Sequence, residues 1–204
     1  MKVKTVLFDI GGVLSHDGHE TYLTHDRYGL VRNLNSSKQD IFKKTAPIFR
    51  KYAVSPKAME VDFWNDISKV LDAKFSKEDI KEVKQKIQDT NHEAQAVFKL
   101  LESRGIAIGV ISNSTSFFYP VMAKSLSLSE HIRPSLYFLS YKEGLLKSNG
   151  LFEFASTKLN PSQTFIVDDR SKNVDHSLKL GFNAAQYSME NDKSLLELVK
   201  DIIA

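Results

Sequence analysis

Three short, almost uninterrupted apolar runs, each closed by polar residues, constrain this chain more than any other feature. Val3 to Phe8 runs into Asp9, Ile106 to Ile111 into Ser112 and Asn113, and Thr164 to Val167 into Asp168 and Asp169. A strand buried on both faces reads as a continuous apolar run, so these predict the inner strands of a parallel sheet. Leu136 to Leu139 and Ala184 to Tyr187 are weaker strand candidates.

Helical spacing fills the gaps between the runs. Ala94, Val97, Phe98 and Leu101 recur at i, i+3, i+4 and i+7 and are closed by Gly105. Val174 and Leu178 suggest a short helix ended by Gly181, and Leu195, Leu198, Val199 and Ile202 a C-terminal one. Strands alternating with helices predict an α/β fold with a doubly wound, Rossmann-like parallel sheet. In such sheets ligands bind outside the carboxyl ends of the strands, which is where all three polar clusters fall.

The segment 17–89 breaks the alternation and reads as helix after helix. Ser36 with Gln39 resembles a capping box ahead of Ile41, Ile48, Phe49 and Tyr52. Phe63, Trp64, Ile67, Val70 and Leu71 make a second apolar face. Ser76 with Asp79 opens a third helix carrying Ile80, Val83 and Ile87. The expected organisation is a core of residues 1–16 and 90–204 with a small α-helical cap of residues 17–89. Trp64 reads as cap core, and Lys81, Lys84 and Lys86 as a solvated helix face.

Charge narrows the partners. Basic and acidic residues number 28 and 25, interleaved, for a net +3, with no basic stripe of the kind nucleic-acid binding needs. There is no cysteine, which excludes disulfides and thiolate metal sites. The lysines and apolar residues of the N-terminus are interrupted by Asp9 and lack a small-residue cleavage site, unlike a signal peptide. No run approaches the roughly 18 apolar residues of a membrane span. The expectation is a soluble, cytoplasmic protein that meets neither nucleic acid nor membrane; its oligomeric state is left open.

The strand ends carry the chemistry. Asp9 is followed at once by Gly11 and Gly12, which allow a sharp turn and a close approach of backbone to ligand. A carboxylate so placed can attack phosphorus and form an aspartyl-phosphate. Asp168 and Asp169 offer hard oxygen ligands of the kind Mg²⁺ takes together with substrate phosphate. Ser112 and Asn113 can donate hydrogen bonds to phosphate oxygens, and Lys147 can neutralise developing charge.

In order, VLFDIGGVL, VISNS, a lone Lys147 and FIVDDRSKNV are similar to the four motifs of the haloacid dehalogenase-like (HAD) hydrolase superfamily. SYKEGLLK before LFEFA, then VDDRSKNV and GFNAA, resemble its phosphatase-like members with a helical cap inserted after the first motif. The resemblance spans residues 3 to 187. It implies Asp9 as nucleophile, Mg²⁺ held by Asp9, the Gly11 carbonyl, Asp168 and Asp169, and phosphate contacts from Ser112 and Lys147. It also implies a phosphomonoesterase acting on a small phosphorylated metabolite. Two alternatives stand beside it: a haloacid dehalogenase-type hydrolase, which uses the same aspartate without metal, and a catalytically weak, binding-only relative.

Two positions depart from the resemblance. Such phosphatases usually carry a second aspartate two residues after the nucleophile, as general acid and base; here that residue is Gly11, as in members with an FDxGxV motif. After Lys147 stands SNG, where a proline-containing loop one residue longer is common. His16, Asp17, His19 and Glu20 match no helical metal spacing and are expected to be solvated hinge residues. Asp17 or His16 could still lean over the site and replace the missing acid.

Overall fold

The computed structural model describes residues 2–16, 18–32, 34, 36–86, 90–189 and 193–204. The chain begins with β1 (Thr5–Phe8), then passes through α1 (Gly18–Thr24), α2 (Lys38–Tyr52), α3 (Glu60–Leu71) and α4 (Lys77–Lys86). It returns to the sheet layer with α5 (Ala94–Ser103), β2 (Ala107–Ser112), α6 (Tyr119–Ser125), α7 (Leu128–His131), β3 (Tyr137–Leu139), α8 (Ser140–Glu143) and α9 (Leu151–Lys158). Then come β4 (Thr164–Asp168), α10 (Ser171–Lys179), β5 (Asn183–Gln186) and α11 (Leu195–Ile203).

The strands form one parallel sheet in the order β3-β2-β1-β4-β5. Alternate residues of a strand point to opposite faces, and both faces are covered. Val6 and Phe8 pack with Phe98 of α5 and Val199 of α11, whereas Leu7 packs with Ile111, Ile166 and Phe152 of α9. This is the doubly wound core with a helical cap that the apolar runs predict. β5 is half-exposed at its edge of the sheet, which is why its sequence signal is faint.

Register explains the convergence at the strand ends. Phe8 pairs with Val110 of β2 and Val167 of β4, so the next residues along the three strands are Asp9, Ile111 and Asp168. β1 is the middle strand, which sets Asp9 between the polar ends of its two neighbours.

Where the helical insertion leaves and rejoins the core, its two connections lie side by side. Ser15 bridges both Gly11 and Thr90, the Asn91 N–H donates to the Leu14 carbonyl, and Asn91 Nδ2 donates to the Val13 carbonyl at 3.0 Å and to the Tyr187 hydroxyl at 2.9 Å. The cap packs onto the core through aromatic side chains: Phe63 of α3 meets Phe118 edge-on at 5.4 Å, and the Ser116 hydroxyl donates to the Ala58 carbonyl.

Several local expectations need correction. α2 is capped by Ser37 and Asp40, one residue beyond the Ser36–Gln39 pair: the Asp40 N–H donates to Ser37 Oγ, which itself donates to Asp40 Oδ2. An acidic residue in the first turn also suits the helix dipole better than a neutral glutamine. Ser76 and Asp79 form the reciprocal box as expected. Leu178 lies on the open side of α10, 48% exposed, while Val174 and Ser177 face inward; Val70 of α3 is likewise exposed. Lys84 is no free surface cation. It is half-buried and pairs with Glu60 at 2.8 Å, whereas Lys81 is exposed. Trp64 is buried in the cap as expected, with its indole N–H donating to Glu60 Oε1. Asp17 and Ile87, and the side chain of Lys86, lie outside the described residues.

Candidate active site

At the carboxyl ends of the strands, four charged side chains meet with little access to water. Lys147 is 1% exposed and Asp168 fully buried. The Lys147 ammonium contacts the Asp9 carboxylate and lies 2.7 Å from Asp168 Oδ2. Asp168 Oδ1 accepts from the Arg170 backbone N–H at 3.0 Å and from Asn173 Nδ2 at 2.8 Å. Both oxygens of Asp168 are thus engaged by the protein. Asp169, one residue on, turns the other way and lines a cavity of about 540 Å³ together with Asp9, Gly11, Ser112, Asn113 and Lys147.

Each side chain is held by its element. The Asp9 N–H donates to the Val167 carbonyl, continuing the β1–β4 ladder, and Asp9 Oδ1 accepts from the Ile10 N–H at 2.7 Å. The Ser112 hydroxyl hydrogen-bonds the Asp9 carboxylate. Asn113 Oδ1 accepts from the Lys147 backbone N–H at 2.9 Å, fastening the lysine's loop to the end of β2. Its oxygen therefore positions Lys147, and its amide group remains as the possible donor to a ligand.

The electrostatics follow from burial and crowding. Burial pushes Asp9 up to about 6, with the Asp168 charge adding to the rise and Lys147 opposing it. Asp169 is pushed up to about 7 by burial and by the charges of Asp9 and Asp168. Burial alone would lower Lys147, but the charges of Asp168 and Asp9 outweigh it and hold the ammonium protonated. Asp168 is held below the usual carboxylate range because Lys147 and its hydrogen bonds overcome burial.

Oxygens of Asp9, Asp168 and Asp169 lie within 4.8 Å of one another. Three carboxylates against the Lys147 ammonium and the half-exposed Arg170 guanidinium, 3.8 Å from Asp169, leave an excess of about one negative charge when all are ionised. A hard divalent cation fits that balance and those donors.

No family model and no curated protein matches this sequence. Solved structures match by shape along nearly the whole chain. A HAD-like family hydrolase of Porphyromonas gingivalis superposes with a TM-score of 0.68 at 19% identity, over 99% of this chain and 98% of its own. A HAD family enzyme of Bacteroides thetaiotaomicron, solved with magnesium and inorganic phosphate, gives 0.66 at 17% identity over 95% and 98%. A protein described as a dehalogenase gives 0.62 at 17% identity over 97% and 90%. The chain has the haloacid dehalogenase-like fold.

Within this HAD-like fold, the residues singled out in the sequence fall at one end of the sheet, around one cavity. Of the residues expected to bind metal or phosphate, Asp168 alone stands behind the others and out of the cavity lining. Sequence reasoning missed His19, which was expected to be solvated. It is 2% exposed, stacks on Phe49 with ring centres 4.3 Å apart, and lines the cavity. His16 does not line it. The signal available was helical spacing: His19, Tyr22 and Leu23 share the buried face of α1 at i, i+3 and i+4. Asn173, which orients Asp168, was also missed; it lies five residues after the carboxylate, in the first turn of α10.

Proposed function

We propose that this chain is a Mg²⁺-dependent phosphomonoesterase of the cytoplasm acting on a small phosphorylated metabolite through an aspartyl-phosphate intermediate. One observation carries the reading: Asp168 is consumed by Lys147, Asn173 and backbone, while Asp9 and Asp169 line the cavity and the three carboxylates outnumber the Lys147 and Arg170 cations beside them. A metal-free dehalogenase needs no cation, and so no second carboxylate to hold one.

In this reading Asp9, Asp169 and the Gly11 carbonyl hold Mg²⁺, and Asp168 acts from behind by fixing Lys147. The cation supplies charge neutralisation at the phosphate oxygens and lets the anionic carboxylate approach an anionic ester. An Asp9 oxygen attacks phosphorus, the bond to the ester oxygen breaks with its electron pair, and the leaving group departs as an oxyanion that takes its proton from solvent water. Ser112 and Lys147, with the Asn113 amide, donate to the phosphoryl oxygens where charge develops. Water then attacks the aspartyl-phosphate, releasing inorganic phosphate and restoring Asp9. The helical cap closes over this end of the sheet, with domain limits at 16/17 and 89/90, where the connections run together.

The test is phosphate release from 4-nitrophenyl phosphate with and without Mg²⁺, on wild type and Asp9→Asn. The amide keeps the shape but is no competent nucleophile, so turnover should fall on the order of 10³-fold or more with the fold intact. Undiminished phosphate release in excess chelator would sink the Mg²⁺ requirement, and no phosphate release at all would favour the dehalogenase.

A further inference from the structure

The cavity is larger than a phosphate group needs, and its remaining lining has a distinct chemical order. At about 540 Å³ it falls in the range of whole small-molecule sites, about 300–1,000 Å³. Its buried floor is Asp9, Ser112 and Lys147. Part of its wall is apolar, beside polar lining from His19, Ser114, Ser148, Asn173 and Gln186. Phe42, Ala46 and Phe49 lie at i, i+4 and i+7 along α2, on one face of that helix, and Phe118 and Met122 answer them from the core.

Its exposed mouth carries cations from both sides. Arg50 is the next residue along the same face of α2, and Lys172 stands in the first turn of α10. Neither Arg50 nor Lys172 joins an ion pair among the described residues. Arg170, also in the lining, is already engaged, 3.8 Å from Asp169 and over the ring of Phe42. Arg50 sits in the last turn of its helix, where the dipole favours a cation. Lys172 stands in a first turn, where the dipole alone disfavours a cation, and Asp168 and Asp169 immediately before the helix offset that effect.

We infer that the cleft takes phosphate monoesters with a flat or apolar body and a second anionic group at the far end, carboxylate or phosphate, received by Arg50 and Lys172. The inference rests on the phosphomonoesterase reading above and adds the substrate class.

The experiment compares 4-carboxyphenyl phosphate with its neutral isostere 4-carbamoylphenyl phosphate, with 4-nitrophenyl phosphate as a general probe, all with Mg²⁺. The expected result is a kcat/KM preference for the carboxylate of about tenfold, shrinking at high salt. The preference should fall towards one in the Arg50→Gln/Lys172→Gln double variant, and partly in Lys172→Gln alone. Both side chains are exposed, and a thermal melt confirms that each variant is folded. A wild-type ratio near one, or a preference that survives in the double variant, overturns the inference while leaving the phosphatase reading standing. No phosphate release from any of the three esters removes the phosphatase reading and the inference with it.

Discussion

Asp169 lies so close to Gly12 that a Cβ on that glycine would sit 2.8 Å from Asp169 Cγ. Gly12 also has φ +75°, in the left-handed region that side chains avoid. Of the two adjacent glycines it is therefore Gly12 that must be glycine, and its missing side chain is the space in which the second cavity carboxylate rests. Gly12→Ala should cost stability, about 1–3 kcal/mol from backbone strain with more from the clash, and should push Asp169 out of place. A thermal melt together with a Mg²⁺ titration checks this. Wild-type metal affinity in the variant would mean that Asp169 is not a ligand.

The two neighbouring aspartates should respond oppositely to neutralisation. Asp168→Asn leaves a buried ammonium with one carboxylate partner instead of two, so folding stability should drop. The loss should stay below the roughly 3–5 kcal/mol of a wholly broken buried pair, because Asp9 remains. Asp169→Asn removes like-charge repulsion from Asp9 and Asp168, so the metal-free protein should hold or gain stability while Mg²⁺ affinity falls. Denaturant melts and metal titrations on both variants separate the cases. Equal losses in both measurements would refute this division of roles.

Metal binding should weaken as pH falls through 7 and then 6. Asp169 is pushed up to about 7 and Asp9 to about 6, so protons compete with a cation for both across that window. The sign for folding follows the same shifts. Between the ordinary carboxylate range and pH 7 the native state binds more protons than the unfolded chain, so metal-free stability falls as pH rises. Mg²⁺ should therefore raise the melting temperature more at pH 8 than at pH 5. A shift of equal size at both would show that these carboxylates do not hold the ion.

Gly11 leaves no carboxylate to protonate the leaving group two residues after Asp9. General acid catalysis contributes about 10²–10⁴-fold and matters most for poor leaving groups. Across esters of graded leaving-group pKa, the wild type should show a steep dependence, hydrolysing aryl or acyl phosphates far faster than alkyl phosphates. Gly11→Asp should flatten it. His19→Phe, which keeps an aromatic ring against Phe49, tests whether the cavity's histidine already supplies part of the proton. A flat wild-type slope that steepens in His19→Phe would assign the acid to His19; a flat slope in every protein would show that neither position matters.

The sequence by itself determined the sheet and the position of its chemistry. Continuous apolar runs ending in Asp9, Ser112 and Asp168 can be satisfied by a strand buried on both faces, and their ends must then share one side. That is a matter of local periodicity and chain direction, and both are written in neighbouring residues. Tertiary structure decided which way each polar side chain turns and what it meets. Asp168 and Asp169 are identical in type and adjacent, yet one is spent on Lys147 and Asn173 while the other rests over Gly12. Leu178 and His19 were misjudged for the same reason, since their exposure depends on which face of a short helix its neighbours cover. Arg50 and Lys172 are ordinary surface cations until the cap sets them across one cleft, 122 residues apart in the chain. Such pairings depend on contacts between distant segments, and no local pattern encodes a partner that far away.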